Sequence, residues 1–150
     1  MDTCIYLKKP TLNIIGARNV SLNRCKYAER ISRELGEQGY VVISGMARGI
    51  DRSAHQGALI SVTIAVLENG IDIPYPLQNR DIYQTIKQIG LILSARPFGQ
   101  KPAALFFLNK IVSLQHYQMA VLQFKLPFSQ VLLSLHHKQL TEMFRLWPFQ

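Results

Sequence analysis

Cysteine is scarce in this 150-residue chain, which holds only Cys4 and Cys25. Two thiols cannot complete a zinc site, and no histidine stands near either at metal-ligand spacing. A reducing, cytosolic setting is therefore the default. Long apolar runs are missing too: none reaches the roughly 20 residues of a membrane span. The opening stretch MDTCIYLKKP has no apolar run behind its charges, so it does not read as a signal peptide. Two phosphate-binding fingerprints are absent, the dinucleotide G-x-G-x-x-G and the P-loop G-K-[ST]. Acidic residues are few, 9 against 17 Lys and Arg, which gives a formal net charge of +8 and a pI near 9.8. That imbalance favours an anionic partner, whether nucleic acid, nucleotide or acidic membrane surface, without choosing among them. A soluble protein that is merely basic accounts for it as well.

What is present suits a single domain of ordinary size. The hydrophobic share is 48%, enough for a real core. Leu12, Ile14 and Ile15 form a short apolar run ending at Gly16, a buried strand that closes in a tight turn. Asn19 or Ser21 can cap the helix that follows. Cys25, Ala28, Ile31, Ser32 and Leu35 share one face of it, while Arg24, Glu29, Arg30, Arg33 and Glu37 lie largely elsewhere. Gly39 stops that helix. Tyr40–Ile43 is a second β-rich run, and a helix starts near Asp51. Thr63–Leu67 is a third strand. A helix over about 80–89 leads into a fourth, Leu91–Leu93. The order βαβαβαβ predicts an α/β fold: a Rossmann-like three-layer αβα arrangement around a mostly parallel sheet, helices on both faces. From about Ile111 the apolar residues lose a clean period, and Val131–Leu135 reads equally as a strand or a helical turn.

Ligands of such sheets bind beyond the carboxyl ends of the strands. Three loops therefore matter: 16–21, 44–51 and 68–79. In the first, Gly16 permits a positive φ or a close approach to the backbone. Arg18 and the following helix amides could hold a phosphate, though a tight turn with a solvated arginine explains the same residues. In the second, Ser44, Gly45 and Gly49 leave backbone amides uncovered and Arg48 adds a fixed charge. Asp51 most simply caps the helix. His55 lies one turn beyond Asp51, where the two could hydrogen-bond; a packed structural histidine is favoured over a catalytic dyad. In the third, Tyr75 could stack on a base, and Asn79 could cap the next helix or bind a ligand. No pair of carboxylates suited to acid–base chemistry emerges.

Joined in order, IIGARN, VVISGMARGIDRSAHQGAL and TIAVLENGIDIPYPLQN resemble the core of the DprA/Smf DNA-processing family over roughly residues 10–110. The resemblance implies single-stranded-DNA binding and protection, support of RecA loading in natural transformation, and no catalysis, cofactor or metal. It makes Gly16, Arg18, Ser44, Gly45, Arg48, Gly49 and Asn79 the expected DNA-binding residues. Arg18 and Arg48 would contact DNA, and Asp51 and His55 would be structural. Lys110, in Leu108-Asn109-Lys110, would keep one charge of a family Arg-Asn-Arg element. The family pairs through this domain, which implies a homodimer.

The departures are specific. The family's serine-glutamate string after the fourth strand is here Ser94-Ala95-Arg96-Pro97, without the acid. Beyond Ser113 no family pattern is visible. The expected division is thus 1–110 as a partial Rossmann-like domain and 111–150 as a divergent tail, from a shifted reading frame or a degraded gene. Such a sheet would expose an edge and an apolar face, weaken dimerisation and lower solubility. Two further readings follow: a non-functional remnant, and a nucleotide-binding enzyme resembling phosphoribohydrolases, whose proline-glycine-glycine-x-glycine-threonine string is missing here.

Overall fold

The computed structural model describes residues 9–94, 96–102, 120–124 and 131–134, the last two segments as backbone strands. The elements are β1 (Thr11–Gly16), α1 (Leu22–Glu37), β2 (Val41–Ser44), α2 (Ile50–Ala58), β3 (Thr63–Leu67), a 3₁₀ turn (Leu77–Asn79), α3 (Arg80–Ile89), β4 (Leu91–Ser94), β5 (Ala120–Phe124) and β6 (Val131–Ser134). They build a six-stranded sheet in the order β4-β3-β2-β1-β5-β6. All neighbours are parallel except β5 and β6. The βαβ alternation read from the sequence is therefore the real one, and the fold is α/β with a mostly parallel sheet.

The strands form because β-branched and leucine residues dominate them, as sheets buried on both faces require, with the buried Asn13 the polar exception inside β1. Every residue from Thr11 to Ile15, from Val41 to Ser44 and from Thr63 to Ala65 is buried. Alternation within each strand then assigns faces. Leu12, Ile14 and Val42 pack with Ala28 and Leu35 of α1 and with Ile50, Ala54 and Ala58 of α2. Val42 is in register with Thr63, so Ala65 and Leu67 lie on the same side, where they meet Ile82, Tyr83 and Ile86 of α3. All three described helices thus cover one face, as right-handed crossovers moving steadily from β1 to β4 must place them. The opposite face carries Val41, Ile43 and Ile64, which are buried as well. Each fully buried Ile or Leu contributes roughly 1.5–3 kcal/mol of transfer free energy.

Gly57 lets α1 and α2 approach closely: a Cβ there would stand 2.0 Å from the Glu29 carbonyl oxygen. Only a residue without a side chain fits that crossing.

The sequence suggested a sheet stripped along one edge, and the structure corrects this. β5 pairs in parallel with β1 over five residues, from Leu12 with Ala120 to Gly16 with Phe124. β6 then adds an antiparallel strand and resolves the alternative left open for Val131–Leu135. Strand pairing needs only a short extended segment of the right length, and AVLQF supplies one without a helical period to betray it. Among the described residues, no helix is long and apolar enough to cross a membrane.

Candidate nucleic-acid interface

The carboxyl ends of β1, β2 and β3 deliver the three loops to one place. There they surround a cleft of ≈ 370 Å³ whose lining includes Arg18, Ala47, Arg48, Glu68, Tyr75 and Gln78. Arg18 follows β1, Ala47 and Arg48 follow β2, and Glu68 follows β3. Tyr75 is half exposed beside the cis Tyr75–Pro76 bond.

The first two loops are locked together. Gly49 has φ +79, and a Cβ on it would stand 2.5 Å from the Ala17 carbonyl oxygen and 2.8 Å from that of Arg18. Its neighbour Ile50 donates its N–H to the Ala17 carbonyl at 3.4 Å. Gly16 does not use a positive φ. Its need is the close approach, since a Cβ would meet the Ile50 side chain at 2.6 Å. Two glycines therefore let the β1–α1 and β2–α2 loops touch, and this sets the spacing of the two arginines on their crests.

Asp51 joins the same pair of loops from below. The helix cap is Gly49, and α2 begins at Ile50. The expectation that Asp51 caps α2 is thus corrected: its Oδ1 accepts from the Gly16 N–H at 3.4 Å. The cap falls two residues earlier than the Asp pattern suggested, which puts Asp51 inside the first turn with its carboxylate towards β1. Burial pushes this carboxyl up to about 7, against the pull of the Gly16 and Ala47 amides and of Arg18. Its Oδ2 is buried with no hydrogen-bond partner.

His55 does not bond to Asp51, contrary to what their spacing allowed. Its Nε2–H donates to the Gly45 carbonyl at 2.6 Å, and its Nδ1 lies 2.7 Å from the Thr63 hydroxyl. A carbonyl can only accept, which fixes the proton on Nε2. The ring is fully buried, and this holds it down to about 4, so it is neutral. It is a structural strut between the second loop and β3, as the sequence favoured.

Other predicted residues fall at distinct places. Ser44 is buried and donates to the Ile14 carbonyl at 2.6 Å, tying β2 to β1. Asn79 occupies the N-cap position of α3, but its side chain makes no capping bond and does not line the cleft. It is buried, and its Nδ2 donates to the carbonyls of Met46 and Ala47 at 2.7 and 3.0 Å. It fixes the second loop from the third. Arg18 and Arg48 are exposed at the cleft. Arg18 lies 4.0 Å from Glu68, and Arg48 has no ion-pair partner among the described residues. Lys110 lies outside the described residues.

Sequence reading missed two contributors. Arg52 donates to the Gln78 carbonyl, to Asn79 Oδ1 and, through both Nη atoms, to Asp81 at 2.9 and 2.7 Å. That fork holds the Asp81 carboxyl down to about 2. No local pattern links residues 29 positions apart. Glu68 is the other, and the strand-end rule could have singled it out, since it is the first residue beyond β3.

Comparison with known proteins bears on the fold and the family. Residues 3–123 match the family described as DNA recombination-mediator protein A. Protein Smf of Synechocystis is 41% identical over 95 residues, covering 62% of this chain and 24% of that protein. DNA processing protein DprA of Streptococcus pneumoniae is 35% identical over 111 residues, 71% of this chain and 39% of that protein. This chain thus spans well under half the length of these curated relatives. Among solved structures, DNA processing protein A from Helicobacter pylori, described for its single-stranded DNA binding mode, aligns with a TM-score of 0.70 at 25% identity. That alignment covers 85% of this chain and 71% of that one. DprA from S. pneumoniae gives 0.68 at 26% identity, over 85% and 54%. The match runs to residue 123, ten residues past the point where the sequence ceased to show a pattern, and takes in most of β5. This chain belongs to the DNA recombination-mediator protein A family, the DprA/Smf proteins.

Proposed function

We propose that this chain binds single-stranded DNA in the cleft at the carboxyl ends of β1–β3. The observation that carries the reading is the pair of exposed arginines, Arg18 and Arg48, held on two interlocked loops across a cleft that Tyr75 borders. Phosphates would be neutralised by the two guanidinium groups, and a base would stack on the Tyr75 ring. Gly16, Ser44, Gly45, Gly49 and Asn79 serve this site by shaping it. Lys110 is assigned a further phosphate contact by the family likeness alone.

Two arginines on fixed loops suit a backbone that every sequence shares, so sequence preference is weak. Single strands are favoured over duplex, because only an unpaired base can leave its partner and stack. The site is assigned no catalysis. Glu68 is engaged by Arg18, and Asp51 lies buried beneath the loops. Support of RecA loading, self-association and a cytoplasmic setting are proposed on the family likeness.

The test is competition between a single-stranded oligonucleotide and its duplex, with the Arg18→Ala/Arg48→Ala double variant alongside. The wild type prefers the single strand, and the variant loses roughly two units of salt slope, one for each phosphate contact removed. Equal affinity of a folded variant would place the DNA elsewhere.

A further inference from the structure

Beneath the two loops lies a carboxyl group that the DNA reading leaves unused. Asp51 is 0% exposed. Its Oδ1 faces the Gly16 N–H from the first loop, and the Ala47 N–H of the second loop acts on the same group. Its Oδ2 has no partner. A buried polar atom without a partner is unusual and calls for a reason. A proton on Oδ2 leaves the Oδ1 bond to the Gly16 N–H in place.

The charged groups around it come from each neighbouring element. Arg18, after β1, favours the ionised form, and Glu68, after β3, opposes it. Arg48, on the crest of the second loop, is exposed. Within α2, His55 is neutral and committed to Gly45 and Thr63. On α1, Glu29 and Arg33, and likewise Arg30 and Glu34, pair with one another at the surface. Arg18 is therefore the cation that matters most to Asp51, and it is the same cation assigned to DNA phosphate.

We propose that Asp51 is the positioning residue of the cleft, and that a polyanion binding above it is accompanied by partial uptake of a proton from solvent onto Asp51 Oδ2. This rests on the DNA reading. Phosphate drawn to Arg18 competes with Asp51 for the same positive charge and adds a negative one nearby. Both effects favour the neutral carboxyl. Protonation keeps the Oδ1 link to the first loop, so the loops hold their spacing while the buried charge is removed. A carboxyl group poised near 7 in the free protein makes this exchange available at ordinary pH.

The consequence is a pH-dependent affinity with a defined sign. Below the free-state midpoint Asp51 is already neutral, and binding takes up no proton. Above it the complex holds the proton more firmly than the free protein, so affinity falls as pH rises and levels off once both states are ionised. Through a protein of effective dielectric about 20–40, one such charge changes affinity roughly three- to tenfold.

The experiment is fluorescence anisotropy with a single-stranded oligonucleotide at fixed ionic strength, from about pH 6 to about pH 8.5, on wild type and Asp51→Asn. Wild-type affinity is expected to fall three- to tenfold across the range. Asp51→Asn, neutral at every pH, is expected to stay flat near the wild-type low-pH value. Thermal unfolding of both proteins establishes that each is folded, and Asp51→Glu, a carboxyl again, should restore a pH dependence. A flat wild-type profile, or a folded Asp51→Asn that falls in parallel with wild type, overturns the proposal and leaves the DNA reading standing. A folded wild type that binds no oligonucleotide at any pH overturns both.

Discussion

At the scale of single residues, the cleft depends on side chains that never reach it. Asn79 holds the Met46 and Ala47 carbonyls, and Arg52 holds Asn79 in turn. Replacing Asn79 with Ala leaves two carbonyls and one guanidinium contact unmet, which costs roughly 1–3 kcal/mol. Urea unfolding of Asn79→Ala checks this, and the same variant should bind single-stranded DNA more weakly because Arg48 loses its fixed support. The residue types were legible in the sequence, but their direction was not. Arg18 and Arg48 follow strands one and two, and the strand-end rule alone places them at the cleft. Asn79 and Asp51 stood in the right loops. Whether each faced ligand or protein depended on contacts with residues some 30 positions away, which no local spacing encodes.

At the scale of elements, the two glycine-bearing loops behave as one unit. Gly49 sits at φ +79 with carbonyl oxygens of the other loop too near for any Cβ. Gly49→Ala therefore combines backbone strain of about 1–3 kcal/mol with a clash that must move Ala17 or Arg18. Both stability by thermal unfolding and DNA affinity should fall, and a stability loss without an affinity loss would separate the loops from binding. The strands and helices up to β4 were legible because apolar runs alternated with amphipathic stretches and glycine punctuation. β5 was not, since five residues of AVLQF carry no more signal than any short apolar run. It becomes a strand only because β1 offers it a free edge.

At the scale of the whole molecule, two buried groups oppose each other in the response to pH. His55 is held near 4, below its unfolded value of about 6.5, so the native state resists protonation. The stability this supports is lost as pH falls through that window. Asp51 is held near 7, above its unfolded value of about 3.9, so the native state keeps a proton that the unfolded chain releases. The stability this supports is lost as pH rises through that window. Between about 4 and 6.5 the two slopes, each about 1.4 kcal/mol per pH unit, cancel. Wild-type stability should therefore be nearly level there with respect to these groups. Asp51→Asn should become steadily more stable as pH rises over the same interval, and thermal unfolding at several pH values reads both curves. An unchanged profile in the variant would show that Asp51 is ionised throughout.

The placement of single-stranded DNA in the cleft is tested most directly by amide hydrogen exchange with and without a bound oligonucleotide. Protection is predicted in the three loops 16–21, 44–51 and 68–79, strongest beside Arg18 and Arg48. Protection confined to segments away from these loops, with the loops exchanging as in the free protein, would contradict the assignment.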